Sequence, residues 1–319
     1  MGLVIDSEVG FVSHNEKPDK MARRQFVRIS GVAGAASLMG LLRPSPGLAA
    51  PEHPPPCPPP GAPTPPGAPT TPGAPNCPPP AMATQCGSTS DTDPLWLDVQ
   101  RCTGTTPPPS DCLRVTSTYV VRYGDPMNAH DFLLLPTCRV RGIECPFIST
   151  TSAPNYWSDA WDNARPGGQV PVMFPNIGLG INSAERRRFN QLHIHMAGIL
   201  SGVQGQLNAV DNMITRNTAS WGSQIVQVTG LDRQFNPPAL ATRSYRALRI
   251  TLNDLMNDNL FRTLRNMVGQ TQMGKQTLIV TPRSIGTRGF YVLNSQPDLV
   301  TPPGSPGGTG TCDLLLVYN

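Results

Sequence analysis

Gln191-Leu192-His193-Ile194-His195-Met196 alternates polar and apolar residues, and this stretch decides the reading of the fold. In an extended strand alternate side chains leave opposite faces, so Gln191, His193 and His195 share one face and Leu192, Ile194 and Met196 the other. Such a strand belongs in a sheet, with its apolar face on a core and its polar face lining a pocket. The chain has five histidines. His14 and His53 fall in segments outside the catalytic fold, which leaves His130, His193 and His195. A His-x-His pair has three readings. It can be two satisfied polar residues on a sheet face. It can be a metal pair, which needs a third or fourth ligand, and no His/Cys/Asp/Glu cluster stands at ligand spacing nearby in the sequence. It can serve nucleophilic catalysis at phosphorus, in which a neutral imidazole attacks while neighbours fix its tautomer and stabilise charge.

Working outward, residues 93–102 read as a short helix, and residues 113–123, rich in Val, Thr and Tyr, read as a strand. Residues 131–137 form a second strand, and residues 155–165 a helix that places Trp157 and Trp161 on one face before Pro166. Further strands are expected over 177–182, 191–199, 244–251, 276–281, 289–293 and 314–318, and helices over 202–215 and 253–267. Strands and helices intersperse without a regular parallel repeat or a glycine-rich phosphate loop, which predicts an α+β fold.

Ahead of the fold, Arg23 and Arg24 precede Phe26 and Val27, then a 14-residue Gly/Ala-rich apolar run over 29–42, then a Pro/Ala tail to Ala50. The run is short for a bilayer span, which takes ~20 residues. Residues 1–50 therefore read as a twin-arginine export signal with a lead over 1–20. Residues 51–85 are proline-dominated, with Gly-Ala-Pro recurring at Gly61, Gly67 and Gly73, and read as a polyproline spacer. The catalytic domain is expected over 86–319. Without residues 1–50 the chain carries 19 Lys+Arg against 17 Asp+Glu, a balance that argues against a nucleic-acid partner. Eight cysteines in an exported chain predict disulfides. Sequence proximity suggests Cys102 with Cys112 and Cys138 with Cys145, and Cys86 with Cys312 would tie the ends.

Phe132-Leu133-Leu134-Leu135-Pro136-Thr137, then Arg139 and the turn Gly142-Ile143-Glu144-Cys145-Pro146, the Asn155-Tyr156-Trp157 helix, and Ile181-Asn182-Ser183 followed by Arg187, Asn190 and the His-Ile-His strand together carry a resemblance. The chain resembles the CDP-diacylglycerol pyrophosphatase family, within the histidine-triad (HIT) superfamily. The similarity is densest over 131–200. The resemblance implies a HIT-like antiparallel sheet with flanking helices and a second, diverged half from about residue 220. It implies hydrolysis of CDP-diacylglycerol to CMP and phosphatidate through a nucleotidyl-histidine intermediate, without a metal or other cofactor, and with peripheral membrane contact. His193 takes the position of the nucleophile, and His195 that of a donor to the phosphate. Gln191 departs from the triad, since its amide can bond phosphate or backbone but carries no proton. Asp131 stands where many relatives have a further histidine, and could orient an imidazole.

The residues themselves agree in kind. Arg186, Arg187 and Arg188 precede the histidine strand, where guanidinium groups can meet a pyrophosphate, although a solvated turn reads the same way. Asn182, Ser183 and Asn190 suit ribose and phosphate oxygens, or turn chemistry between strands. Trp157 offers an aromatic wall for substrate, or core packing.

Overall fold

The computed structural model describes residues 76–128, 131–170, 172, 176–285 and 289–317. The segments expected as an export signal and as a spacer, up to residue 75, and His130 lie outside these residues, as does the side chain of Asp131. The elements, in chain order, are α1 (Ala83–Cys86), α2 (Pro94–Gly104), β1 (Cys112–Val115), β2 (Tyr119–Asn128), β3 (Asp131–Pro136), α3 (Tyr156–Ala164), β4 (Ile177–Ile181), β5 (Ile194–Ile199), α4 (Ser201–Ala209), β6 (Ile225–Asp232), β7 (Ala239–Thr251), α5 (Leu252–Asn257), α6 (Leu260–Val268), β8 (Thr277–Pro282), β9 (Gly289–Ser295) and β10 (Leu316–Val317). The strands form one sheet in the order β1-β2-β3-β5-β4-β8-β9-β7-β6, with β10 paired to β5. Every pairing is antiparallel. The sheet runs without a break across residue 220, because β4 pairs directly with β8.

Burial explains the order. Every residue of β4 and β9 is buried, as expected of central strands covered on both faces, whereas β6 at the edge alternates buried with more exposed positions. Leu192, Ile194 and Met196 join Phe132, Leu134, Leu179, Trp157 and Phe261 in one core, which α3, α5 and α6 cover. On the other face α2 covers Leu133 and Leu135, while α4 and residues 312–316 cover Ala197, Ile199, Ile279 and Leu293. The alternation in 191–196 thus divides the molecule into its two packed layers. Side-chain caps set the helix starts: Asp93 accepts from Trp96 N, Asn259 accepts from Phe261 N and Arg262 N, and Thr251 with Asp254 forms a capping box.

Four local expectations need correction. The strand over 113–123 is a hairpin, because the Thr116 hydroxyl accepts from Thr118 N and Tyr119 N and turns the chain between β1 and β2. The helix over 253–267 is two helices, broken where Asp258 turns extended and Asn259 caps α6. β6 was missed. The histidine strand starts at Ile194, and Gln191 and Leu192 pair instead with the 139–141 segment through an Arg141 bridge and a 2.6 Å bond from Leu192 N to Val140 O.

Of the three expected disulfides Cys102–Cys112 is present, and the other two are re-paired as Cys77–Cys138 and Cys86–Cys145. Cys86 meets Cys145 because Arg141 N bonds Cys86 O at 2.7 Å, laying α1 along the 138–145 segment. Cys312 is buried on the far side of the sheet. The bond from Cys77 also ties the last residues of the proline-rich segment to the domain.

Candidate active site

Residues 193 and 195 sit on the sheet face between α2 and the C-terminal segment. His193 and His195 lie edge to face with ring centroids 5.1 Å apart. In the sheet His195 stands between Leu133 of β3 and Gly180 of β4. Gly180 is what lets the C-terminal segment close over this face: a Cβ there would lie 2.8 Å from both Cβ and Sγ of Cys312. Gly230 plays the same part at β6, where a Cβ would fall 2.1 Å from Leu314 O.

His193 is buried, and its Nδ1 lies 2.7 Å from Gln191 O. A carbonyl oxygen only accepts, so Nδ1 carries the proton and the neutral ring keeps its lone pair at Nε2. Burial, reinforced by the neighbouring His195, pushes the His193 pKa down to about 4. The ring is therefore neutral at physiological pH with Nε2 unprotonated, the form in which an imidazole can act as a nucleophile.

Gln191 does not reach outward. It is fully buried. Its Nε2 donates to Pro136 O and Cys138 O at 3.0 and 2.8 Å, and its Oε1 accepts from Arg139 Nη1 and Val140 N at 3.0 and 3.2 Å. The amide is saturated by its surroundings, so of the two roles open to it the structure has the backbone one. Arg139 is buried in the same network and also bonds Asp91 at 2.9 Å. Arg187 grips Glu144 with both terminal nitrogens, at 2.7 and 2.5 Å, and donates to Asn190 Oδ1 at 3.1 Å. Its charge contributes to holding His193 neutral. Asp93 adds a second job to its cap, since its carboxylate accepts from Asn190 N at 2.6 Å and Gln191 N at 3.1 Å and so pins the start of the histidine stretch to α2.

Asn182 and Ser183 hold the opposite wall. Asn182 Oδ1 accepts from Cys312 N at 2.8 Å and Thr311 Oγ1 at 2.9 Å, its Nδ2 donates to Asp313 Oδ1 at 3.3 Å, and Ser183 N donates to Gly310 O. These bonds bring Cys312 and Asp313 to His195: one ligating atom from each of the three lies within 4.8 Å of the others. Among the described residues this group is the set that could hold a metal ion. Sequence spacing does not show it, because His195 lies more than a hundred residues before the adjacent Cys312 and Asp313. Asp93, Cys312 and Asp313 were missed from sequence. The helix that Asp93 begins was legible, but the residue's second role depends on a contact about 97 positions away.

Trp157 is placed elsewhere. It is fully buried with its ring 5.4 Å from Phe261, in the core on the opposite face of the sheet from the histidines, so its i,i+4 spacing with Trp161 marked core and not substrate. A cavity of about 360 Å³ opens beside Asp313, lined by Arg186, Arg233, Arg243, Asp232 and the Gly308–Gly310 stretch. Arg233 donates there to the carbonyls of Asp313 and Leu316 at 2.6 and 2.9 Å.

A neutral buried imidazole with a fixed tautomer, a second histidine against it and an arginine-lined cavity alongside suit the cleavage of a phosphoric anhydride. The relatives agree. A CDP-diacylglycerol pyrophosphatase from Yersinia pestis is 29% identical over 224 residues, which cover 66% of this chain and 80% of the relative. The sequence profile for CDP-diacylglycerol pyrophosphatase matches residues 90–307, well over half of the chain and the whole of the histidine-bearing sheet face except its C-terminal cover, so the chain belongs to the CDP-diacylglycerol pyrophosphatase family.

Proposed function

We propose that the protein hydrolyses the pyrophosphate of CDP-diacylglycerol in two steps, with His193 as nucleophile. His193 Nε2 attacks the phosphorus that carries cytidine, a nitrogen–phosphorus bond forms, the bond to the bridging oxygen breaks, and phosphatidate leaves. Water then attacks the same phosphorus and gives up a proton to solvent, the nitrogen–phosphorus bond breaks with its electron pair returning to Nε2, and CMP leaves. His195 donates to the phosphate oxygens. Phosphatidate departs as a stabilised phosphate at neutral pH, so the step does not require a strong acid. The reading rests chiefly on the bond from His193 Nδ1 to Gln191 O, which aims the lone pair at Nε2. Kinship with the histidine-triad superfamily, with residues from about 220 as a diverged second half, belongs to the same proposal, and the continuous antiparallel sheet supports it.

The test follows CMP release from CDP-diacylglycerol and from soluble cytidine diphosphate esters, each with and without exhaustive chelation. The expected result is release from the lipid that chelation changes by less than about twofold, because imidazole supplies the nucleophile and guanidinium and amide groups the charge stabilisation. Activity lost to the chelator and restored by Zn²⁺ would instead make His195, Cys312 and Asp313 a working metal centre. Release from the soluble esters alone would move the substrate class.

The proposal places the enzyme outside the cytoplasm, delivered through Arg23-Arg24 and held off its anchor point by the proline-rich segment. Three disulfides in the folded domain support an oxidising destination. Changing Arg23 and Arg24 to lysine is expected to leave the protein in the cytoplasm; fractionation that still finds it exported would reject the twin-arginine route.

A further inference from the structure

The β6–β7 hairpin carries large apolar side chains into solvent at its end. Phe235, in the turn between the strands, is 59% exposed, and Leu240, paired with Leu231 one pair short of the end of the ladder, is 79% exposed. Pro237 and Pro238 between them are exposed as well. Single exposed apolar residues are ordinary on a protein surface; these are distinguished by what the same hairpin does a few residues further in. Asp232, Arg233, Gln234 and Arg243 line the cavity of about 360 Å³, together with Arg186 from the turn before the histidines. Arg233 is anchored on the carbonyls of Asp313 and Leu316, the segment that places Cys312 and Asp313 at His195. From the tip inward the order is therefore apolar side chains, guanidinium groups, histidines.

An anionic lipid with a nucleotide headgroup has the same order: acyl chains, phosphates, reacting phosphorus. Taking the substrate to be such a lipid, as proposed above, we infer that the β6–β7 hairpin is the membrane-docking element of this enzyme. Phe235 and Leu240 insert among the acyl chains of an anionic bilayer, while Arg186 and Arg243 meet headgroup phosphates at the cavity mouth. The cavity beside the tip, where Arg186, Arg233 and Arg243 outnumber Asp232 and Asp313, favours a negatively charged bilayer over a neutral one and over an apolar protein surface. Among the described residues no helix is long and apolar enough to cross a membrane, and the hairpin supplies a contact that requires none.

Because residues 29–42 are apolar in their own right, the test reads the hairpin locally in the full chain. Phe235→Trp is mixed with vesicles of phosphatidylcholine, with or without phosphatidylglycerol, carrying brominated acyl chains. Quenching is expected in the anionic vesicles and little in the parent chain, whose Trp96, Trp157 and Trp221 are buried and whose Trp161 is half-buried against the core. The Phe235→Asp/Leu240→Asp variant should lose about tenfold or more in turnover of CDP-diacylglycerol presented in vesicles, and keep parental turnover of a short-chain, water-soluble form. An unquenched Phe235→Trp, or a double variant as active as the parent on vesicles, overturns the inference. Blue-shifted emission without vesicles also overturns it, identifying a second copy as the occupant. Failure of the parent to cleave either lipid would sink the substrate reading, and the quenching would still decide the hairpin.

Discussion

His193→Ala is expected to lower turnover of CDP-diacylglycerol by on the order of 10³-fold or more, as befits removal of a covalent nucleophile. The fold should survive the change in outline, since the ring makes one hydrogen bond, to Gln191 O. Quenching the native enzyme during turnover should trap an acid-labile, base-stable CMP adduct that the variant lacks; activity within tenfold of the parent would remove His193 from the nucleophile's role. The pH dependence follows from the same residue. With its pKa at about 4, against about 6.5 for an exposed imidazole, His193 stays neutral across the physiological range. The unfolded chain takes up the proton first as pH falls. The stability gained by keeping the ring neutral is therefore complete above about pH 6.5 and lost progressively towards pH 4, roughly 3 kcal/mol in all. Denaturant melts at pH 7 and pH 4.5 should show a drop that His193→Asn flattens, and an equal drop in the variant would assign the pH dependence to other groups.

The second large effect is expected at Gln191, and it is an effect on folding. Its amide satisfies Pro136 O, Cys138 O, Val140 N and Arg139 at once, in full burial. Gln191→Ala removes the amide partner of these groups, with Arg139 keeping Asp91, and should cost roughly 3 to 5 kcal/mol, since each buried polar group stranded costs about 1–3 kcal/mol. Gln191→Glu should be no better, because a carboxylate has no N–H to offer the two carbonyls. Loss of activity in either variant should track loss of folded protein. A variant of parental stability with activity down 10³-fold would show that Gln191 touches the chemistry directly, and would overturn the bracing role.

These two residues show how far local sequence reaches. Alternation in 191–196 separated the faces correctly, because period 2 is a property of the extended backbone and does not depend on what the strand pairs with. Burial of Leu192, Ile194 and Met196 on one side and the meeting of His193 and His195 on the other follow from it. The helices over 93–102 and 155–165 were equally legible, and Asp93 and Asn155 cap them by accepting from Trp96 N and Ser158 N, bonds that stay within three residues. What the alternation could not tell is what covers the polar face. Gln191 looked like a member of the pocket and is a brace for the 136–140 segment.

The sequence by itself determined an α+β chain with a histidine pair on a sheet face, a family resemblance dense over 131–200, and cysteines suited to an oxidising compartment. Only the tertiary structure decided that Cys86 pairs with Cys145 and not with Cys312, that Trp157 is core, and that Cys312 and Asp313 stand at His195. The physical reason is sequence separation. Caps, turns and alternation are settled by bonds within a few residues, whereas disulfide partners and the cover of the histidine face depend on contacts tens to more than a hundred residues apart. The close approach that permits them here, with Gly180 bare beneath Cys312, leaves no periodic trace in the chain.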